Sequence, residues 1–152
     1  MEIAFLSDIH GNIDGLNAVV KEAKSIGIKH FVALGDYVGY YYKPYEVIDC
    51  LLSINAIMIR GNHEEMLFRA IEDKKFLDFL TSKYGHGYEF AINELSKEFL
   101  NLLKNLPNKK IINLTGNLEI LLCHGSPKSI DEYIYPDASP DLIKNILNDF
   151  KC

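Results

Sequence analysis

Four short apolar runs in this chain each end in a cluster of carboxylate, imidazole or amide side chains, most of them beside glycine. The runs have the length of buried β-strands, and the segments between the first of them carry the apolar spacing of helices. In an open α/β sheet, ligands bind beyond the carboxyl ends of the strands. We therefore expect clusters distant in sequence to converge on one edge: Asp8-Ile9-His10, Gly35-Asp36, Gly61-Asn62-His63-Glu64 and His124-Gly125.

The first 60 residues predict a β-α-β-α-β order, which favours parallel strands joined by crossover helices. Asn12 is a suitable cap for the first helix, and Gly27 is a suitable end. Pro44 suits the first turn of the second helix. The predicted strands are 2–7, 30–34 and 56–59, and the predicted helices are 13–26 and 44–52.

The rest of the chain predicts a helical insertion that could act as a lid, then a hairpin and a final helix. The helical insertion is predicted over 64–106, with breaks near Asp73 and Gly85-His86-Gly87. The hairpin strands are predicted at 110–114 and 118–123, on either side of Thr115-Gly116-Asn117, and the final helix at 140–150. With 152 residues and no repeat, linker or low-complexity tract, a single domain over residues 1–152 is expected.

Charge and cysteine content narrow the function classes. The net charge is −5 and basic residues are not clustered, so no generic nucleic-acid-binding face is expected. Cys50, Cys123 and Cys152 form no C-x-x-C pair, which predicts reduced thiols in a cytoplasmic protein. Asp8 and His10 interrupt the apolar start, so neither a signal peptide nor a membrane span is expected.

The residue types in the clusters predict a metal centre. Asp8 and His10 are two apart, so both side chains of an extended segment can face the same way. Their oxygen and nitrogen donors suit Mn, Fe, Ni or Zn better than Mg or Ca. Asp36 has two carboxylate oxygens and could bridge two ions, while Asn62 and His124 offer a further oxygen and imidazole.

Such a centre predicts the hydrolysis of a phosphate ester. Two ions about 3.5–4 Å apart would clamp a phosphoryl group and supply a metal-bridging hydroxide for in-line attack. His63, beside Asn62, could protonate the leaving oxygen as a general acid. The tyrosines at 37, 40–42 and 45 could stack on a nucleobase or an aryl leaving group, or simply pack within their loop.

Taken as an ordered set, these clusters resemble the calcineurin-like metallophosphoesterases, whose motifs are D-x-H, G-D, G-N-H-[DE], a later H and a final G-H-x-H. The resemblance implies a fold of stacked β-sheets flanked by helices, in the α/β (α+β) class. It also implies that Asp8, His10 and Asp36 hold one metal, that Asp36, Asn62 and His124 hold the second, and that His63 contacts the leaving group. Two divalent ions are the expected cofactors, with Mn as first choice.

Two departures from the family pattern refine this expectation. Protein phosphatases of the family carry G-D-x-V-D-R-G, whereas this chain reads Gly35-Asp36-Tyr37-Val38-Gly39-Tyr40-Tyr41. Gly39-Tyr40 and His124-Gly125-Ser126-Pro127 look more like the small bacterial and archaeal phosphodiesterase branch. The final G-H-x-H is absent, so we expect three protein ligands for each ion and a second sheet without its last strands. Such a chain would be a fragment, a truncated product, or one completed by another subunit.

The main hypothesis is therefore a metal-dependent phosphodiesterase acting on a small phosphate ester, possibly a nucleotide, with a homo-oligomer as a further option. A catalytically weakened metal- or partner-binding domain of the same fold is the first alternative, and a protein phosphatase-like phosphomonoesterase is the second. A Rossmann nucleotide-binding domain is disfavoured, because the first strand-helix turn lacks G-x-G-x-x-G.

Overall fold

The computed structural model of the chain describes residues 2–114, 116 and 118–147. The predicted turn residues Thr115 and Asn117, and residues 148–150 of the predicted last helix, lie outside this range. The elements in chain order are β1 (Ile3–Leu6), α1 (Ile13–Ser25), β2 (His30–Ala33), α2 (Pro44–Ser53), β3 (Ile57–Met58), α3 (Asn62–Glu72), α4 (Lys74–Tyr84), α5 (Gly87–Glu94), α6 (Lys97–Asn105), β4 (Lys109–Asn113), β5 (Glu119–Cys123) and α7 (Pro140–Leu147).

The strands form two sheets. The first is parallel in the order β1-β2-β3, with Ile3 opposite His30 and Val32 opposite Ile57. The second is the antiparallel pair β4-β5, with Ile111 opposite Leu121. The predicted parallel arrangement and the predicted hairpin strands are both confirmed.

The alternation of side chains along β2 explains how the layers stack. Phe31 and Ala33 lie on the face that packs against the helices, in the larger core. Val32 points to the opposite face, where the first sheet packs on the second in a smaller apolar cluster with Ile59, Ile112 and Leu122. The structure is therefore a helix layer on one sheet, with a second sheet stacked behind it, as the predicted fold class requires.

The predicted helical insertion consists of four helices, α3 to α6, because side-chain caps interrupt the apolar stripe. Asp73 caps α4 by accepting from the backbone N–H of Phe76 at 3.1 Å. Ser96 caps α6 by accepting from Phe99 N–H at 3.2 Å, a break that the apolar pattern alone did not predict. The insertion shares the larger core with the sheet through the buried side chains of Leu67, Leu80, Tyr88, Ala91 and Leu103.

Among residues 2–114, 116 and 118–147, no helix combines the length and the apolar content that crossing a bilayer would need.

Candidate metal centre

The predicted site residues meet around one carboxylate oxygen. Asp36 Oδ2 lies 3.5 Å from Nε2 of His124 and 3.9 Å from Nε2 of both His10 and His63. Asp8 Oδ1 lies 3.9 Å from His10 Nε2. Two ligands on one ion with bonds of about 2.1 Å lie at most about 4.2 Å apart, so these separations fit shared coordination.

The backbone that presents these side chains is not extended, contrary to the reasoning for Asp8 and His10. The φ angles of Asp8, His10 and Asp36 are 55°, 51° and 58°, in the left-handed region. Non-glycine residues rarely adopt this conformation, which costs on the order of 1–3 kcal/mol each and tends to occur at functional sites. The side chains thus converge through tight left-handed turns rather than through the alternation of a strand.

Backbone hydrogen bonds join the first two loops and offset part of that cost. His10 N–H donates to Asp36 C=O at 2.8 Å, and Gly11 N–H donates to Tyr37 C=O at 2.7 Å. Tyr41 N–H donates back to His10 C=O at 2.9 Å. The loops after β1 and β2 therefore form one hydrogen-bonded unit.

Glu64 ties that unit to the start of α3. Its fully buried carboxylate accepts four backbone N–H groups, from Asp36 and Gly61 at 2.9 Å each and from Tyr37 and Val38 at 2.7 and 3.3 Å. Burial raises the pKa of the Glu64 carboxyl, and the four donated hydrogen bonds oppose that rise. The sequence analysis placed Glu64 in the third cluster and in the G-N-H-[DE] motif but did not predict that it holds the loop of Asp36.

Gly61 allows the third loop to approach Asp36. A Cβ atom at this position would lie 2.1 Å from Asp36 Oδ1 and 2.5 Å from Asp36 N, so any side chain would displace the carboxylate. The same carboxylate oxygen, Oδ1, accepts from His63 N–H at 2.9 Å. Asp36 therefore has one oxygen held by the helix N-terminus and the other directed at the imidazoles.

The loop after β5 is held by Ser126, which is 1% exposed. Its hydroxyl accepts from the backbone N–H groups of Lys128 and Ser129 at 3.0 and 3.1 Å, and it donates to the Glu132 carboxylate. These three hydrogen bonds of the Ser126 hydroxyl shape the turn that follows His124.

The orientation of two imidazoles fits a metal site. His10 Nδ1 lies 2.9 Å from Val38 C=O, and His124 Nδ1 lies 2.7 Å from Leu34 C=O. Each ring thus donates its Nδ1–H to a backbone carbonyl, which leaves the Nε2 lone pair directed at the carboxylates. Metal-ligating histidines commonly show this arrangement.

Asn62 provides a second test of the fit. Its Oδ1 lies 2.9 Å from His124 Nε2. With Nδ1 donating to a carbonyl, both facing atoms are acceptors, and a cation between them would accept both lone pairs. The structure also brings Asp8, Asp36 and His124 into one group and His10, Asp36 and His63 into another, each with donor atoms within 4.8 Å. These groups differ from the predicted sets, because Asp8 is grouped with His124 instead of His10, and His63 joins His10. The donor set fits two divalent ions that share Asp36.

The pKa of Asp36 also favours a bound cation. Burial, followed by the nearby Glu64 carboxylate, raises the pKa of Asp36 to about 7. An ionised Asp36 is thus disfavoured in the protein without a counter-charge. A divalent cation beside Oδ2 would supply that charge and restore the ionised form.

His63 differs from the other two imidazoles. Its Nδ1 lies 2.6 Å from the hydroxyl of Tyr88, a fully buried residue of α5. Burial, followed by the proximity of His10, lowers the pKa of His63 to about 3, so the ring is neutral near pH 7. The sequence analysis missed Tyr88, because nothing in the pattern of the insertion distinguishes it from a core residue.

The tyrosines divide into packed and exposed side chains. Tyr37 is buried, and its hydroxyl lies 2.6 Å from Ile59 C=O, so it has a structural role. Tyr40 is 44% exposed, with its ring centroid 4.7 Å from that of His10 and 5.5 Å from that of His63. Tyr41, Tyr42 and Tyr45 are also exposed.

Stacked sheets flanked by helices, with carboxylates and imidazoles gathered beyond the strand ends, define a metallophosphoesterase-type fold. The profile of the calcineurin-like phosphoesterase family matches residues 1–150. The chain therefore belongs to the calcineurin-like phosphoesterase family, as the motifs predicted.

Individual proteins resemble the chain over most of its length. An uncharacterized protein of Methanocaldococcus jannaschii is 34% identical over 143 residues, which cover 92% of this chain and 56% of that protein. The crystal structure of a hypothetical protein from Pyrococcus horikoshii OT3 matches with a TM-score of 0.78 and 26% identity, over 97% of this chain and 64% of the other. A metallophosphoesterase from Sphaerobacter thermophilus matches with a TM-score of 0.74 and 26% identity, over 99% and 56%. The chain thus spans 56–64% of the length of these relatives.

Proposed function

We propose that this protein is a metal-dependent phosphoesterase, and more narrowly a phosphodiesterase for small substrates such as nucleotides. The observation that carries the proposal is the single oxygen, Asp36 Oδ2, with three imidazole Nε2 atoms within 3.9 Å. Family membership supports the same chemistry. The free thiols of Cys50 and Cys123 are consistent with a cytoplasmic location, which is part of the proposal.

The side chains have distinct proposed roles. Asp8, His10, Asp36, Asn62 and His124 would hold two divalent ions, with Mn as first choice and Fe, Ni or Zn as alternatives. When bound, the ions would polarise the phosphoryl oxygens and lower the pKa of a coordinated water. His63 was predicted to act as a general acid, but its ring is neutral near pH 7, so it would instead stabilise the leaving oxygen through a hydrogen bond from Nε2–H. The exposed ring of Tyr40, close to His10 and His63, would stack on an aromatic part of the substrate.

The proposal is tested by stripping the protein of metal, adding Mn²⁺ back, and measuring bound metal and hydrolysis together. We expect two ions per chain and faster hydrolysis of bis(4-nitrophenyl) phosphate than of 4-nitrophenyl phosphate. Preference for the monoester would favour the phosphomonoesterase alternative. Metal binding without turnover of either compound would make the chain a binding domain of the same fold.

We expect His63→Ala to slow turnover by about 10²–10³-fold while two ions remain bound, because the change removes a donor to the leaving oxygen. Metal content by elemental analysis and kcat for methyl phenyl phosphate, whose leaving phenolate needs stabilisation, are the two measurements. His10→Ala is the matched control, since it removes a proposed ligand and should lower metal content. Loss of metal from the His63 variant would instead make His63 a ligand.

A further inference from the structure

The hydroxyl of Tyr88 meets His63 in a fully buried contact. The phenol oxygen lies 2.6 Å from His63 Nδ1, and the two rings stack with their centroids 5.7 Å apart and their planes 15° apart. Tyr88 is 0% exposed and His63 is 5% exposed, so water does not compete for the bond. This contact links α5 of the helical insertion to the candidate metal centre.

The surroundings of the phenol decide which group donates. The only other partner recorded for the Tyr88 hydroxyl within the described residues is Met66 Sδ at 3.5 Å, and a thioether is a weak acceptor. The phenol therefore donates to Nδ1 of the neutral ring. The ring hydrogen is then on Nε2, which faces the acceptor Asp36 Oδ2 at 3.9 Å.

Two glycines create the space for this contact. A Cβ atom at Gly39 would lie 2.6 Å from His63 Nδ1, where the phenol oxygen now bonds. A Cβ atom at Gly87 would lie 2.6 Å from Tyr40 N, at the point where the start of α5 meets the loop after β2. The close packing of α5 on this loop places Tyr88 beside His63.

We infer that Tyr88 is a positioning residue that holds His63 with its hydrogen on Nε2, directed at the reaction site. His10 and His124 carry their hydrogen on Nδ1, so their Nε2 atoms can bind metal. Tyr88 gives His63 the opposite tautomer, in which Nε2 donates a hydrogen bond. The donor would stabilise the charge that develops on the leaving oxygen. The catalytic part of this inference rests on the proposed phosphoesterase function.

The tautomers can be measured without any activity. A two-bond ¹H–¹⁵N spectrum of the metal-free protein distinguishes protonated from unprotonated ring nitrogens, and the five histidines can be assigned with single His→Gln variants. We expect hydrogen on Nε2 of His63 and on Nδ1 of His10 and His124, which serve as internal controls. Tyr88→Phe should remove the preference at His63 alone. Hydrogen on Nδ1 of His63 in the parent protein would overturn the inference.

Activity provides the second measurement, with methyl aryl phosphates whose leaving phenols range from 4-nitrophenol to phenol. We expect Tyr88→Phe to lower kcat by about 10²-fold for the phenol ester and by about 10-fold or less for the nitrophenol ester. In a His63→Ala background the same change should add almost nothing. Tyr84→Phe is the matched control, because its ring also contacts His63, at 5.4 Å between centroids, and it should keep the parent ratio between the two esters.

The outcomes separate this inference from the proposed function. An equal loss for both esters, or no loss, would reduce Tyr88 to a packing residue and overturn the inference. Failure of the parent protein to hydrolyse any ester would refute the proposed function, while the spectrum would still decide whether Tyr88 sets the tautomer of His63. Thermal unfolding of Tyr88→Phe, compared with Tyr84→Phe, checks that both variants are folded.

Discussion

Asp36→Asn is expected to lower phosphodiesterase activity by at least about 100-fold and to reduce bound metal, with the fold intact. The amide can still accept from His63 N–H through Oδ1, which is the contact that holds the side chain in place. Its NH₂ group, however, replaces Oδ2, the oxygen surrounded by three imidazole nitrogens. The substitution therefore removes the charge and lone pairs of the proposed shared ligand with minimal change in shape. Activity and metal content, measured with saturating Mn²⁺, test this prediction.

The same variant should be no less stable than the parent when both are metal-free. The folded-state pKa of Asp36 is raised from 3.8 to about 7, so the folded protein prefers the neutral carboxyl. Ionisation of Asp36 therefore costs folding stability as the pH rises from about 4 to about 7, and the cost stays constant above that window. Asparagine cannot ionise, so the stability difference should grow in favour of the variant across this window. Chemical denaturation at several pH values measures it.

Tyr40→Ala provides the comparison for activity, because its ring lies beside the same imidazoles without being a proposed ligand. We expect this change to cost about 10-fold or less, mainly through substrate affinity, since one exposed aromatic contact contributes about 1 kcal/mol. A larger loss from Tyr40→Ala than from Asp36→Asn would show that the site has been assigned to the wrong residues. Full activity of Asp36→Asn would do the same.

The convergence of the first three clusters could be predicted from the sequence because it follows from topology. Parallel strands end at one edge, and the order of the apolar runs indicates parallel strands. The contact of Asp36 with His10 therefore needed no knowledge of the local backbone, whereas the contact with His124 depends on how the antiparallel second sheet stacks on the first. The contact of Asp36 with His63 could not be predicted in this way. The nitrogen of the His63 ring that faces Asp36 depends on what the other ring nitrogen bonds, which here is the hydroxyl of Tyr88.

The local backbone was predicted less well, for a physical reason. Sequence patterns describe strands and helices, whereas Asp8, His10 and Asp36 adopt single left-handed conformations that tertiary hydrogen bonds stabilise. Tyr88 was missed for a related reason. Its apolar ring belongs to the core of the insertion, and only the docking of α5 on Gly39 brings its hydroxyl to His63.

Glu64→Gln is expected to lower the free energy of unfolding by about 3 kcal/mol or more, equivalent to a decrease of about 10 °C in Tm for a domain of this size. Four backbone N–H groups converge on the carboxylate, and water cannot replace it because Glu64 is fully buried. The amide keeps one acceptor oxygen but turns an NH₂ group towards two of these donors. Donor then faces donor in the interior, which costs more than the simple loss of a hydrogen bond.

The matched control for this prediction is Glu65→Gln, the same substitution one residue further along α3. Glu65 is partly exposed and pairs with Arg60 at 3.7 Å, and an ion pair of this kind contributes about 0–1 kcal/mol. Because Glu64 holds the loop that carries Asp36, its loss should also weaken Mn²⁺ binding, whereas the Glu65 variant should bind as the parent does. Equal stabilities for the two variants would mean that the loop is held by the bonds between the first two loops instead. In that case the left-handed backbone of Asp36 would depend on the hydrogen bonds between the first two loops, such as that from His10 N–H. The buried carboxylate of Glu64 would then be dispensable for the site.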